Sequence, residues 1–307
     1  MLWRKQFKKI QVVTHSNNLN FFLQNHNLAT AFTNAPYYSK IQLANRLIVQ
    51  PVCTKEKGKT HMAHYKPTAT TSLLKPADMG LVYTSAQRIQ LGNTELSSEN
   101  EELCLFVIQG TVSYQCEANS GTAQYKDMLY IPPGKKVSLK GDDAVAIRFG
   151  APCARETNFA HLSFNEIDSD ERHKKYGSAT NGTKRDVWNY IDESFNSSRF
   201  LVGICKGEPG AWTAWPPHKH GTKREEVYLY FGVDDGFALQ CVYEDMDKPD
   251  AVALVKDGHL IAIKEGYHPN VGCPKSGIQY IYCMVSITPE DRNFMDLTMQ
   301  SIYGDKL

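Results

Sequence analysis

The chain has 307 residues and a formal net charge of +1, with 42% hydrophobic and 22% charged residues. That is a globular composition, long enough for two ordinary domains with a core in each. The near-neutral balance gives no electrostatic case for nucleic acid or an anionic membrane surface, and no apolar run reaches the roughly 18 residues of a spanning helix.

The first 55 residues stand apart. They contain no Asp or Glu but carry Arg4, Lys5, Lys8, Lys9, Lys40, Arg46 and Lys55. Residues 1–61 therefore read as an N-terminal extension, disordered or outside the core, with the true start of the protein expected near Met62. Acid-poor character also fits a transit peptide. No apolar stretch followed by a small-residue cleavage site marks a secretory signal, so the reading is cytoplasmic, with organelle targeting the minor alternative. The eight cysteines are scattered without a CxxC pair, which suits reduced core thiols more than a disulfide framework.

From Met62 onward the pattern is strand-like. Short runs of Val, Ile, Tyr and Phe alternate with Gly, Pro, Asn and Asp, and strands are expected at 105–108, 128–131, 145–149, 200–205, 227–231, 237–243, 252–255, 260–263 and 280–285. Long amphipathic helices are missing from the pattern, so an all-β sandwich or small barrel is expected. Residues 153–190 are polar and charged and read as a linker between a first domain, 62–152, and a second, 191–307. The halves resemble divergent copies: each has an acid followed by an apolar strand (Glu102 in one, Glu226 in the other) and later a strand ending at a Gly turn, Gly134 and Gly266.

The chemistry concentrates in the second half. In the run PPHKH at 216–220, His218 and His220 are two apart, so on a strand both imidazoles aim at one point. Six residues later Glu226 opens a strand in which Glu226, Tyr228 and Tyr230 share a face. A fourth ligand is expected from another strand, and His268 after the Gly266 turn is the best placed. Three imidazoles and a carboxylate suit one divalent ion: Zn first, with Mn or Fe as alternatives. Glu225 is the rival ligand, but neighbouring strand residues face opposite ways, so only one can join. His259, His161 and His173 read as loop histidines, and the barrel tyrosines as core filling, with Tyr228 and Tyr230 the pair most able to reach a substrate. Gln240, on a strand taken as the hairpin partner of 227–231, could bond a sugar hydroxyl.

These residues resemble the 5-deoxy-glucuronate isomerase family of inositol catabolism, within the bicupin group that also holds the 4-deoxy-L-threo-5-hexosulose-uronate ketol-isomerases. The resemblance is carried by KRDV at 184–187, GAWTAWPPHKH at 210–220, EEVYLY at 225–230, GFALQCVY at 236–243 and GYHP at 266–269. It is specific over 184–285, loose over 65–183 and absent before Met62. It implies two tandem cupin barrels, the first metal-free, and the ligand set His218, His220, Glu226 and His268. It departs from the family at Gly221, where an Asp is usual, and in a short loop before Glu226, nearer the ketol-isomerase branch. The implied activity is conversion of 5-deoxy-D-glucuronate to 5-dehydro-2-deoxy-D-gluconate by proton transfer through an enediolate.

The general base stays open among Glu225, Glu265, a ligand-face tyrosine such as Tyr228, and hydroxide at the metal. Lys219, Lys223, Arg224 and Arg185 are the candidate cations for a substrate carboxylate, the arginines offering a bidentate fork. The expected partner is a small sugar acid, and association through sheet edges into a homo-oligomer is compatible with such a fold. The competing readings are an oxygenase needing a redox metal, which would stop without oxygen, and a sugar-acid binding protein without turnover.

Overall fold

The computed structural model describes residues 61–289 and 291–304, together with the backbone of two strands further upstream. The chain divides into two compact units, Met1–Gly58 and Lys59–Leu307. In the first, Ile10–His15 and Asn18–Leu23 form an antiparallel hairpin; the rest of the expected extension lies outside the described residues.

The second unit is all-β and built on two seven-stranded antiparallel sheets. The first has the order Ala160–Leu162, Met128–Ile131, Glu101–Gln109, Lys136–Pro152, Val112–Cys116, Asn119–Ala123, with Ser85–Ser97 also paired to Lys136–Pro152. The other runs His173–Tyr176, Arg185–Ile191, Phe200–Gly207, Ile278–Ser286, Arg224–Tyr230, Leu260–Ile263, Met62–Tyr65. A four-stranded sheet of Trp212–Thr213, Asn270–Gly272, Ala238–Val242 and Ala251–Val255 accompanies it.

The continuous apolar runs have a simple cause: the central strands are buried on both faces. Along Arg224–Tyr230, Val227 and Leu229 enter a core shared with the first sheet, where Phe106, Tyr130 and Phe149 meet them. Tyr228 and Tyr230 point the other way, into a separate core with Tyr280, Tyr282 and Met284. Likewise Leu103, Leu105 and Val107 fill a third core while Cys104 and Phe106 join the shared one. Period-two alternation thus distributes one strand between two interiors, and the sheets are joined back to back.

Two expectations differ from this arrangement. Residues 153–190 carry the strands Ala160–Leu162 and His173–Tyr176 and a short helix, Phe164–Ser169, because their polar groups find partners. His161 Nε2 lies 3.0 Å from Asp127, whose carboxylate also accepts the Phe164 N–H. Trp188 Nε1 donates to Asp168 at 2.7 Å, and the His173 ring stacks on Trp188. The 237–243 strand is not the hairpin partner of 227–231; Ala238–Val242 pairs with Ala251–Val255 and Asn270–Gly272 in the smaller sheet. The seven described cysteines are free thiols, and no helix among the described residues is long and apolar enough to cross a membrane.

Candidate metal centre

His218 lies on the two-residue strand His218–Lys219, which pairs with Thr298–Met299. His220 follows it, and His268 sits two residues beyond Gly266, whose φ of 103° turns the chain back toward the barrel. The rings of His218, His220 and His268 meet with centroids 4.8–5.3 Å apart, and one nitrogen of each lies within 4.8 Å of the others. Glu226 joins them from Arg224–Tyr230: its Oε2 is 3.2 Å from His220 Nε2 and 3.0 Å from His268 Nε2. All four residues are buried.

Two features make this a donor set rather than a polar core. His218 Nδ1 is held by the Pro216 carbonyl at 2.9 Å and His268 Nδ1 by the Gly266 carbonyl at 2.8 Å, which turns each Nε2 inward in the way that outer partners orient metal ligands. His220 Nε2, His268 Nε2 and Glu226 Oε2 are buried, face one point, and make no hydrogen bond of acceptable geometry. Orphaned buried polar atoms are costly, and a cation shared among them removes the cost. Burial, reinforced by the neighbouring imidazoles, pulls His218 down to about 3, and burial lowers His220 too. Burial alone would push Glu226 up, but the imidazoles of His268 and His220 outweigh it and hold the carboxyl well below its usual range. Neutral imidazoles beside an ionised carboxylate are the protonation states that a divalent cation requires. The buried three-histidine group fits such an ion, and it is the one converging group of that kind found among the described residues.

His218, His220 and Glu226 line a cavity in the second barrel. Tyr228 lines it, 6.2 Å from His268 between ring centroids. Its pKa is raised well above the ordinary phenol value, burial first and Glu226 next, so it stays protonated. Arg185 is the one Lys or Arg among the lining residues. Its fork donates to the carbonyls of Thr183 and Trp215 and its guanidinium lies 5.4 Å from the Tyr176 ring. Tyr176, Cys205, Tyr282, Phe294 and Leu297 also reach the cavity. Sequence reasoning missed most of these. Tyr282 shares parity with Tyr280, but nothing in the pattern pointed to Phe294 and Leu297.

Other expected site residues lie elsewhere. Glu225 faces away from the cavity, as strand parity requires, and accepts hydrogen bonds from the backbone N–H groups of Val82, Tyr83 and Thr84 and from the Thr84 hydroxyl. It is no base for a substrate in the cavity. Arg224, which donates to the carbonyls of Asn293 and Asp296, and Lys219, paired with Glu244 at 2.5 Å, do not line the cavity as Arg185 does, so neither is placed as a carboxylate anchor. Lys223 pairs with Asp296. Gln240 is fully buried and accepts from the Tyr230 hydroxyl at 2.6 Å while donating to the His268 carbonyl. Gln240 and Tyr230 thus support the His268 turn instead of contacting a sugar. Glu265 borders a small void behind His220 and His268, outside the main cavity.

An all-β chain of two cupin barrels, with three histidines and a glutamate converging in one, defines a cupin with a buried donor group that suits a divalent cation. More specifically, the chain belongs to the KduI/IolB family, whose model matches residues 52–302. It is 27% identical over 200 residues to a 5-deoxy-glucuronate isomerase of Shouchella clausii, covering 58% of this chain and 71% of that one. It is 24% identical over 192 residues to a 4-deoxy-L-threo-5-hexosulose-uronate ketol-isomerase of Rhizobium meliloti, covering 61% and 66%. A solved IolB-like protein of Salmonella typhimurium LT2 superposes with a TM-score of 0.67 at 22% identity, over 76% of this chain and 93% of that one, which establishes the fold. The family expected from the sequence motifs is the family found, and its enzyme class is the intramolecular isomerase.

Proposed function

We propose that the chain is a metal-dependent aldose–ketose isomerase that converts 5-deoxy-D-glucuronate to 5-dehydro-2-deoxy-D-gluconate. The observation that carries this reading is the convergence of the orphaned atoms of His220, His268 and Glu226 with His218, three of these residues (His218, His220 and Glu226) lining a cavity that also presents Arg185. His218, His220, Glu226 and His268 would hold one divalent ion, zinc first and manganese or iron as alternatives. Bound there, the ion would act as a Lewis acid toward the oxygens of an enediolate. Tyr228 lines the cavity, stays protonated and donates a hydrogen bond to developing oxygen charge. Arg185 supplies the positive charge for the substrate carboxylate at the far end of a bound sugar acid.

The runner-up substrate is the deoxy-hexuronate of the ketol-isomerase branch, favoured by the short loop before Glu226. The decisive test is elemental analysis of the purified protein with isomerase assays on both acids, beside His218→Ala and His268→Ala. Joint loss of metal and turnover in folded variants is expected. Full activity in either variant removes that residue from the ligand set, and saturable binding of unchanged substrate by the wild type replaces catalysis with storage.

A further inference from the structure

The segment after the last long strand has a role that neither the ligand set nor the family match assigns. Past residue 290 the chain returns across the barrel and is fastened at several points. Thr298–Met299 pairs with His218–Lys219, His218 opposite Met299. The Gln300 N–H donates to the Pro217 carbonyl at 2.8 Å, the Tyr243 hydroxyl donates to the Gln300 side chain at 2.7 Å, and Tyr303 packs on Trp215 with centroids 4.9 Å apart. The strongest fastening is Arg224, only 2% exposed, whose fork donates to the carbonyls of Asp296 and Asn293. Burying a guanidinium is expensive, and here its donors serve one turn. That turn carries Phe294 and Leu297, both half-buried, which reach the cavity, and Phe294 also meets Tyr282 edge-on at 6.1 Å.

We propose that residues 291–299 are a roof over the cavity, that Arg224 is the positioning residue that latches it, and that Phe294 and Leu297 make it a specificity determinant. The inference rests on the reading of the cavity as a sugar-acid site. Most of a sugar acid's carbons carry a hydroxyl. The side chains that this roof turns inward offer no donor or acceptor, so a hydroxyl held under them goes unpaired, and a CH₂ is preferred at that point. The roof selects acids deoxygenated at the carbon beneath it. An apolar wall rejects an added hydroxyl by about a hundredfold at most, which bounds the effect.

The test uses the full chain as wild type, Phe294→Ala, Leu297→Ala and Arg224→Lys; the lysine keeps the charge but cannot span both carbonyls. The first readout is carbethoxylation of His218 by diethylpyrocarbonate after EDTA treatment, followed by peptide mass spectrometry. It reports access to the cavity without turnover. The second is kcat/KM for 5-deoxy-D-glucuronate relative to D-glucuronate. Labelling of His218 is expected to quicken about tenfold in each variant, as for the loss of one charge-assisted bond or its packing equivalent. The preference for the deoxy acid is expected to fall about tenfold, with the loss falling on KM more than on kcat. Labelling and preference both at wild-type values overturn the roof. Quickened labelling with an undiminished preference overturns its role in specificity. Quickened labelling in a protein that turns over neither acid retires the substrate reading and leaves the roof standing as the barrier to the cavity.

Discussion

Adjacent glutamates on one strand should respond to the same substitution in opposite ways. Glu225 is 3% exposed and takes four hydrogen bonds from residues 82–84; Glu226 is 4% exposed and accepts none in its orphaned Oε2. In Glu225→Gln the amide keeps one acceptor oxygen but turns its NH₂ toward donors, so about two charge-assisted bonds are lost. At about 1.5–3 kcal/mol each, the loss is about 3–6 kcal/mol, which at roughly 2–4 °C per kcal/mol for a unit of this size is a fall in Tm of about 6 °C or more. Metal content and kcat per folded molecule should stay at wild-type values, because the residue faces away from the cavity. Glu226→Gln should leave the metal-free protein within about 1 kcal/mol of wild type, since one uncompensated charge disappears, yet abolish metal retention and turnover. Urea denaturation of chelator-treated protein, elemental analysis and an isomerase assay separate the two. A Glu225→Gln protein that folds normally but loses its metal refutes the assignment of faces.

Asp127→Asn should destabilise by about 2–4 kcal/mol, because it removes the carboxylate shared by His161 and the N–H groups of Gln124 and Phe164. Burial pushes Asp127 up, but those partners outweigh it and its pKa is lowered from 3.8. Its contribution is therefore complete above pH 3.8 and disappears as the pH falls through the folded value; denaturation from pH 6 to 2 should show an acid loss in the wild type larger than in the Asn variant. Arg185→Met should raise KM for a uronate at least tenfold, while the neutral primary alcohol analogue of the substrate loses little; equal losses on both remove Arg185 as the carboxylate anchor. Chelation followed by restoring Zn, Mn or Fe singly should return activity with the native metal, and activity undiminished by full metal removal would refute a metal-dependent reaction.

The strands were legible because short apolar runs are bounded by Gly, Pro, Asn and Asp, and the four converging side chains because HxH spacing on a strand leaves little freedom of direction. Parity also separated Glu226 from Glu225. What escaped was the destination of charges. Arg224, Lys219 and Glu225 carry the chemistry of substrate contacts, yet each is consumed by a partner distant in sequence: the Asn293 and Asp296 carbonyls, Glu244, and the 82–84 backbone. No local pattern encodes such a partner. The stretch 153–190 was hard for the same reason, because a charged segment reads as solvated until Asp127, Asp186 and Trp188 are known to receive it.

The repeat explains why one half alone carries a converging donor group. The structural counterpart of Glu102 is Glu225 rather than Glu226. Glu102 accepts the N–H groups of Ser198 and Arg199 just before Phe200–Gly207, as Glu225 accepts those of 82–84 just before Ser85–Ser97. Each half thus clamps the entry segment of the other. Shifted by one residue, the place of Glu226, opposite Ile263 and Met284, falls to Leu103, opposite Ile131 and Gly150. Two residues past the Gly134 turn, where His268 stands after Gly266, comes Lys136, paired with Glu95 on the surface. With a leucine and a lysine at these two positions the first barrel holds an apolar interior instead of a donor set. The reciprocal clamps and the shared core make it the rigid wall against which the second barrel's strands are set, and a centre built on strands needs that rigidity to hold four side chains on one point.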